Sequence, residues 1–235
     1  MNQANVFLNG EGDAWFQRNH EANEPPVIKH SRRMLGDWIE ENCKNIENIL
    51  EIGAGSGYPL AYLAELSKST GVGIEPSTRA IENWEKRQHM KTANVELIKG
   101  VASDLPFDNS TFDIVGFGFC LYLVDRSDLY KAIREADRVL RIGGYMYIED
   151  FDPISRYAKT YKHKKGVNSY KDKYFRYISD GGCYSIIKHA SYGINEKSFE
   201  VNEDDRVSMT LLYKEREELS NSKDLRAMHD QYEEK

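Results

Sequence analysis

A glycine-rich turn is the first feature of this sequence whose residue types and spacing suggest a binding function. Gly53-Ala54-Gly55-Ser56-Gly57 follows an apolar run and precedes a helical pattern. Glycines let the backbone turn sharply and approach a ligand closely, and the helix that follows presents free N–H groups to it. Tyr58 stands where a dinucleotide-binding fingerprint needs glycine or alanine, and the lysine of a nucleotide-binding P-loop is missing. The turn therefore predicts a ligand loop of another type, or an ordinary glycine-rich turn if it is considered alone.

A carboxylate stands at the end of the next strand-like run. Glu75 directly follows the apolar run Gly71-Val72-Gly73-Ile74. At this place in an open α/β sheet, a carboxylate can accept hydrogen bonds from both hydroxyls of a ribose. The glycine turn and Glu75 together predict a site for a cofactor that contains a ribose.

A basic segment, Arg156–Arg176, contains eight lysines and arginines against one acid, in a chain whose net charge is −6. Tyrosines are interleaved with these charges. One interpretation is a solvated, mobile surface segment. The other is an electropositive lid for an anionic acceptor such as a nucleotide-linked sugar, a phosphorylated compound or an acidic glycan. In the second interpretation the substrate-binding residues are Lys162, Lys164 and Lys165.

Alternating strand and helix patterns must position these residues. Strand-like runs separated by amphipathic helical patterns indicate βαβ units, hence an α/β fold with a doubly wound, mostly parallel sheet. Two later runs, Cys183–His189 and Arg206–Tyr213, predict strands that close one edge, the second of them antiparallel. The five earlier strand-like runs are Asn48–Ile52, Gly71–Ile74, Val95–Ile98, Phe112–Phe117 and Tyr145–Glu149.

Two helices have clear signals. Ser31–Cys43 places its apolar residues at helical spacing, in a separate N-terminal segment. Ser127 is a candidate N-cap for the clearest helix of the chain, and Gly143-Gly144 is predicted to end it.

The composition excludes several classes of protein. The chain has 235 residues, enough for one sizeable domain, and its 40% hydrophobic content supports a core. An acidic chain is a poor candidate for nonspecific nucleic-acid binding, and it contains no apolar run long enough for a transmembrane helix. Three isolated cysteines and an acidic N-terminus without signal-peptide character predict a cytoplasmic protein with no metal site.

Taken in order, the motifs resemble those of the class I S-adenosylmethionine-dependent methyltransferases, particularly the small-molecule type related to ubiquinone and menaquinone methyltransferases. The resemblance covers about Asn48 to Asp150. Gly10–Phe16 and the segment after Phe151 also look like methylases of bacterial surface-polysaccharide clusters. Besides the glycine turn and Glu75, the motifs are Gly100–Phe107, Asp108–Asp113 and Arg138–Gly144.

The resemblance implies a seven-stranded Rossmann-like methyltransferase sheet with an antiparallel last strand. It divides the chain into an N-terminal helical lid or cap (1–45), a methyltransferase domain (46–213) that carries a basic acceptor-side insertion (151–180), and a charged C-terminal tail (214–235).

The resemblance also implies cofactor contacts by position. Gly53, Gly55 and Gly57 would cradle the methionine part of S-adenosylmethionine. Glu51 would orient its amino group, directly or through water, and Glu75 would hold the ribose. Ala102 and Ser103 would meet the adenine edge, and the backbone at Gly118–Phe119 would contact the amino acid moiety. Val101 stands where many relatives carry an adenine-binding Asp, so Ser103, Asp104 or a backbone carbonyl must take over that role.

The acceptor side is less defined. A neutral oxygen acceptor needs a proton acceptor, and His163 is the first candidate, followed by Asp150 and Tyr122. An alternative interpretation is that His163 is a solvated surface residue and that Tyr122 serves only for packing. Arg18 could pair with the methionine carboxylate while Trp15 and Phe16 close over the cofactor, or their helix could simply pack on the domain edge.

The leading hypothesis is O-methylation of a small anionic or sugar-linked acceptor, in bacterial capsule or surface-polysaccharide biosynthesis or a similar pathway. The alternatives are methylation of a phosphoryl-type oxygen on a small phosphorylated metabolite, and a noncatalytic S-adenosylmethionine-binding regulatory domain. A nucleic-acid or membrane partner is not expected, and the oligomeric state is left open. The Asn/Asp-Pro-Pro-Tyr signature of amino methylation is absent, because Gly118-Phe119-Cys120-Leu121-Tyr122 occupies its position.

Overall fold

A seven-stranded sheet is the centre of the computed structural model, which describes residues 2–19, 28–87, 94–195 and 198–215. Its strands run in the order β3-β2-β1-β4-β5-β9-β8. Strands β1 to β5 are parallel neighbours, while β9 is antiparallel to both β5 and β8. The predicted fold class is confirmed. The strands are β1 (Asn48–Ile52), β2 (Thr70–Glu75), β3 (Val95–Lys99), β4 (Phe112–Gly118), β5 (Leu140–Phe151), β8 (Tyr184–Gly193) and β9 (Arg206–Lys214).

Helices cover both faces of this sheet, so the central strands are buried on both sides, as their continuous apolar runs predict. One core lies between the sheet and α6, and the other between the sheet and helices α3, α4 and α5. Trp84 and Tyr147 are among the largest fully buried side chains. The helices are α1 (Gln3–Val6), α2 (Gly12–Asn19), α3 (His30–Asn42), α4 (Tyr58–Ser67), α5 (Thr78–Arg87), α6 (Leu129–Val139) and α7 (Arg176–Ser179); a π-helical turn, Phe7–Glu11, joins α1 to α2.

The predicted limits of α6 were wrong at both ends. The helix begins at Leu129 after Asp128, and neither Asp128 nor Ser127 caps it through its side chain. It ends at Val139, and β5 begins at once with Leu140 paired to Phe112. Gly143-Gly144 lies inside β5, where the pairing register shifts before Tyr145 and Gly143 has φ 72°. The two glycines therefore form a bulge in the strand.

The basic segment folds as a hairpin. Strands β6 (Tyr157–Thr160) and β7 (Asn168–Lys171) pair antiparallel in a separate two-stranded sheet, and α7 follows. The predicted charged tail begins at Lys214, the last residue of β9, and its residues 216–235 lie outside the described part of the chain. Among the described residues, no helix has the length and apolar character needed to cross a membrane.

Candidate active site

A cleft opens at the carboxyl ends of β1, β2 and β4, where the strand order reverses on either side of β1. Ligands of open α/β sheets bind at this kind of switch point. The cleft contains about 810 Å³ of space free of protein atoms, part of it open to solvent. The residues that line it include Phe7, Trp15, Gly53, Glu75, Ala102, Ser103, Gly118, Phe119, Asp125 and Asp128.

Gly53 of the glycine turn lines this cleft, whereas Gly55 and Gly57 are not among the described residues that line it. Gly53, Gly55 and Gly57 have φ values of 76°, 53° and 75°, which side chains rarely tolerate. The amide of Gly53 donates to the carbonyl of Ile74 at 2.8 Å, so the turn folds back over the end of β2. A Cβ at position 57 would lie 2.6 Å from the ring of Trp84. The positive φ values and close packing explain why this turn needs glycine.

Glu75 lies at the side of the cleft with its carboxylate fixed by the backbone. Its Oε2 accepts from the amide of Gly55 at 2.8 Å, and its Oε1 accepts from the amide of Ser77 at 2.9 Å. Each oxygen retains a second lone pair for a ligand hydroxyl. Burial raises the pKa of Glu75 to about 7, although the two amide hydrogen bonds act in the opposite direction.

The loop after β3 supplies the next wall. Val101, Ala102 and Ser103 all line the cleft. Asp104 is exposed, and its amide donates to the carbonyl of Val101 at 3.3 Å, which closes a tight turn. Of the two side chains proposed to replace the Asp at position 101, the structure therefore brings Ser103 to the cleft and turns Asp104 away from it.

Glu51 lies beneath the cleft rather than on its surface. Its Oε1 accepts from Nη2 of Arg32, a residue of α3 that also pairs with Glu149 through Nε at 3.3 Å. A Cβ at position 118 would overlap Glu51 Oε1. Because Gly118 has no side chain, the backbone that lines the cleft lies directly against the Glu51 carboxylate. Burial raises the pKa of Glu51 to about 7 against the opposing effect of Arg32. Sequence reasoning missed Arg32.

Residues 2–19, here called the strap, cross the mouth of the cleft. At one end Gln3 donates to the carbonyl of Leu123 at 2.8 Å and accepts from the amide of Asn168 in β7 at 2.7 Å. At the other end Asp13 accepts from Ser77 Oγ at 2.7 Å and from the amide of Arg79 at 2.9 Å. Phe7 and Trp15 of the strap line the cleft between these anchors. No local pattern in the sequence predicts the roles of Gln3 and Asp13, because their partners are distant in the chain.

Arg18, the predicted partner of the methionine carboxylate, is engaged elsewhere. Its Nη2 donates to Glu11 Oε1 at 2.6 Å and to the hydroxyl of Tyr161 at 3.0 Å. These contacts connect the strap to the hairpin, and Arg18 is not among the described residues that line the cleft. Phe16 is buried at 2% exposure, whereas Trp15 faces the cleft as expected.

None of the three candidate bases is among the described residues that line the cleft. The hydroxyl of Tyr122 accepts from Trp15 Nε1 at 3.2 Å, and burial raises the pKa of this phenol far above its usual range. Asp150 is buried and accepts from the amides of Tyr122 at 3.2 Å and Phe151 at 2.8 Å; burial raises its pKa to about 7. His163 is exposed in the hairpin turn, with its ring centroid 5.3 Å from that of Tyr161.

Charge is distributed unevenly around the cleft. Among the described residues that line it, Glu75, Asp125 and Asp128 carry carboxylates and none is a lysine, arginine or histidine. The basic side chains of the hairpin turn project outside the cleft. The exposed residues Lys162, Lys164 and Lys165 are here called the lysine turn. The hairpin packs on the strap through Phe7 and Tyr161, whose ring centroids are 6.2 Å apart. The lysine turn therefore belongs to an element that contacts Phe7, one of the residues that line the cleft.

Comparisons with known proteins agree on one family. A family model described as a methyltransferase domain matches residues 50–148. YrhH of Bacillus subtilis (strain 168), which carries a methyltransferase name, is 34% identical over 183 residues, covering 76% of this chain and 90% of YrhH. The chloroplastic 2-phytyl-1,4-beta-naphthoquinone methyltransferase of Arabidopsis thaliana is 32% identical over 137 residues, but that match spans only 51% of its length and 55% of this chain.

A solved structure shares the fold at low sequence identity. It is the 1,6-didemethyltoxoflavin-N1-methyltransferase of Burkholderia thailandensis, with bound 1,6-didemethyltoxoflavin and S-adenosylhomocysteine. Its TM-score is 0.68 at 11% identity, and the match covers 91% of each chain.

Proposed function

Because this chain belongs to the class I S-adenosylmethionine-dependent methyltransferases, we propose that it methylates an oxygen of a small molecule that has an anionic or sugar-linked portion. The observation that carries the proposal is the charge distribution: among the described residues the charged walls of the cleft are carboxylates, and the exposed lysine turn belongs to the hairpin that packs on the strap through Phe7 and Tyr161. A neutral reacting group suits the cleft, and an anionic carrier group suits the lysine turn. The proposed acceptor includes intermediates of bacterial capsule or surface-polysaccharide biosynthesis, the context that the sequence resemblance implies.

The residues of the cleft fit the cofactor. Glu75 offers two oxygens to the ribose hydroxyls, the glycine turn leaves room for the methionine chain, and Ala102 and Ser103 form the wall assigned to adenine. Gly118 and Phe119 provide the backbone beside the amino acid end. When bound, S-adenosylmethionine supplies an electrophilic methyl group on a sulfonium that is already a good leaving group.

The chain itself contributes position and exclusion of water. Phe7 and Trp15 of the strap cover the cleft from above, and Phe119 forms part of its apolar wall. Holding two reactants in line in such a site replaces a bimolecular encounter by an intramolecular one and is the main source of acceleration for a reaction of this type. The strap anchors at Gln3 and Asp13 keep this cover in place.

A neutral hydroxyl acceptor must also lose its proton. Asp125 and Asp128 line the cleft, and Asp128 accepts from Asn2 Nδ2 at 2.8 Å. We propose Asp125 as a proton acceptor for the geometry described above. His163 takes that role instead if the hairpin turn moves inward when the acceptor binds. A phosphoryl-type oxygen would need neither group, because it is already ionised.

A set of matched acceptors tests this function. Purified protein and S-adenosylmethionine are incubated with a sugar, its phosphorylated form and its nucleotide-linked form, and mass spectrometry follows the gain of one methylene unit. The proposal predicts turnover of a charged form and little turnover of the free sugar. Turnover of neutral acceptors alone would contradict the anionic assignment. Cofactor binding without turnover across a broad panel would favour the noncatalytic regulatory domain.

A further inference from the structure

We propose that Arg32 is a positioning residue for the methionine end of the cofactor: it fixes the carboxylate of Glu51 beneath Gly118, so that the cleft floor attracts the ligand's ammonium group. The inference rests on the cofactor placement proposed above, with Glu75 at the ribose. It places an arginine of α3 behind the amino acid end of the cofactor, where the sequence suggested Arg18 of the strap as the direct partner of the methionine carboxylate.

Arg32 is buried and forms ion pairs with acidic side chains on two strands of the sheet. Arg32 is 4% exposed and lies between two buried carboxylates, Glu51 and Glu149. Glu149 is further held by Ser31 Oγ at 2.7 Å. A buried carboxylate without a cation takes up a proton, because burial disfavours its charged form. The guanidinium of Arg32 therefore favours the ionised form of Glu51 and acts against the effect of burial on its pKa.

The cluster of Arg32, Glu51 and Glu149 favours a further cation above it. One guanidinium, that of Arg32, faces the carboxylates of both Glu51 and Glu149, so the acidic groups directly under the cleft floor outnumber the cation paired with them. Glu51 Oε2 has no hydrogen-bond partner within the described part of the chain, whereas Oε1 is held by Arg32. The free oxygen and the excess of acidic groups both favour a cation nearby. The amino acid end of S-adenosylmethionine presents an ammonium group, and the site proposed for it lies above Gly118.

The absence of a side chain at position 118 brings the Glu51 carboxylate close to the cleft. Any Cβ there would overlap Glu51 Oε1, so the charge lies immediately behind the backbone that lines the cleft. In a medium of low polarity, a charge acts strongly across this short separation. Arg18 has no comparable position, because it pairs with Glu11 and with Tyr161 of the hairpin.

Several groups face Glu51 and set its titration. Arg32 comes from α3, Glu149 and the phenol of Tyr147 from β5, and Glu75 from β2. The guanidinium of Arg32 also lies 4.7 Å above the ring of Tyr147. Without Arg32, the pKa of Glu51 rises further, and the attraction for the ammonium group is lost until the pH rises.

The test compares two ligands that differ only at the amino acid end. Calorimetry measures the affinity for S-adenosylhomocysteine and for 5′-methylthioadenosine, which keeps adenine and ribose but lacks the ammonium and carboxylate groups. We expect Arg32→Met to weaken S-adenosylhomocysteine binding by roughly tenfold or more near neutral pH, with little change for methylthioadenosine. The loss should be partly recovered about two pH units higher. Arg32→Lys should retain most of the affinity.

Two further variants distinguish a positioning role of Arg32 from a purely structural one. Glu51→Gln, which preserves shape, should cause the same selective loss without recovery at high pH, and it serves if Arg32→Met does not fold. Arg18→Met is the matched control and should leave the ratio of the two affinities unchanged. Equal weakening of both ligands by Arg32→Met and Glu51→Gln would give Arg32 a purely structural role and overturn the inference. Failure of the unaltered protein to bind either ligand would instead overturn the cofactor placement.

Discussion

Glu75 provides the sharpest prediction about cofactor binding, because its carboxylate is fixed and its titration lies near neutral pH. Both oxygens are held by backbone amides, of Gly55 and of Ser77, and each keeps one lone pair for a ribose hydroxyl. Glu75→Gln preserves the shape of the side chain but removes the charge and one acceptor. We expect this substitution to weaken S-adenosylhomocysteine binding.

The magnitude follows from the number of lost contacts. A hydrogen bond to a charged group contributes about 1.5–3 kcal/mol, and about 1.4 kcal/mol corresponds to tenfold in affinity. Loss of one such bond therefore predicts at least about tenfold weaker binding, and loss of both predicts about a hundredfold or more. Methylthioadenosine should lose as much as S-adenosylhomocysteine, since both ligands contain the ribose.

The pH dependence separates a ligand contact from a structural effect. Burial raises the pKa of Glu75 to about 7, and the ribose hydroxyls bind the ionised carboxylate. Affinity for methylthioadenosine should therefore rise with pH below about 7 and become constant above it, with up to about tenfold per pH unit on the acidic side. Glu75→Gln should remove this dependence.

The assay is isothermal calorimetry of methylthioadenosine between about pH 5.5 and about pH 8.5, a range that spans the Glu75 titration. This ligand avoids the separate contribution of Glu51, because it lacks the ammonium group. Unchanged affinity in Glu75→Gln, or the same pH profile in the variant and the unaltered protein, would refute the assignment of Glu75 to the ribose.

The remaining predictions concern the acceptor side and the strap. Replacing all three residues of the lysine turn by Ala should raise the acceptor KM and reduce the dependence of KM on salt, without changing cofactor affinity. As a control, replacing the exposed Lys131 by Ala should leave the acceptor KM and its salt dependence unchanged. Normal turnover of the triple variant at low salt would show that the lysine turn is an ordinary solvated surface. Asp125→Asn should lower kcat by about 10²–10⁴-fold if Asp125 takes the proton, and His163→Ala should then cost only a few-fold; the reverse pattern would assign the base to His163. Asp13→Ala removes two anchoring hydrogen bonds of the strap and should speed dissociation of S-adenosylhomocysteine in stopped-flow experiments, a result that an unchanged rate would contradict.

The central sheet could be predicted because its signals are local and repeated. Continuous apolar runs mark strands that are buried on both faces, and the alternation with helices fixes a parallel sheet. The antiparallel last strand was also anticipated, and the structure confirms it with β9 paired to β5 and β8. The end of α6 was not anticipated, because Gly143-Gly144 is compatible with a helix end and with a strand bulge. Pairing of Leu140 with Phe112 decides between them, and that contact is not local.

The floor of the candidate site could also be predicted, whereas its cover and its supporting charges could not. Glu75 and the glycine turn belong to a short, ordered motif. Arg32 carried one usable signal: it lies on the same helical face as Leu35 and Ile39, where an arginine must have a buried partner. Asp13 and Gln3 had no such signal, since polar residues near a chain terminus are ordinary surface residues unless a distant partner is known. Arg18 illustrates the same limit, because its partner Tyr161 lies in the hairpin.

Transfer of a labelled methyl group tests the central claim most directly. The protein is incubated with S-adenosylmethionine whose methyl carbon is isotopically labelled, together with a pool of small anionic and sugar-linked metabolites. The products are then separated by size and analysed by mass spectrometry. We predict that the label enters the small-molecule fraction with equimolar formation of S-adenosylhomocysteine, and that Glu75→Gln reduces both together. Label that appears only in protein or nucleic acid, or small-molecule labelling that is unaffected by Glu75→Gln, would contradict the account.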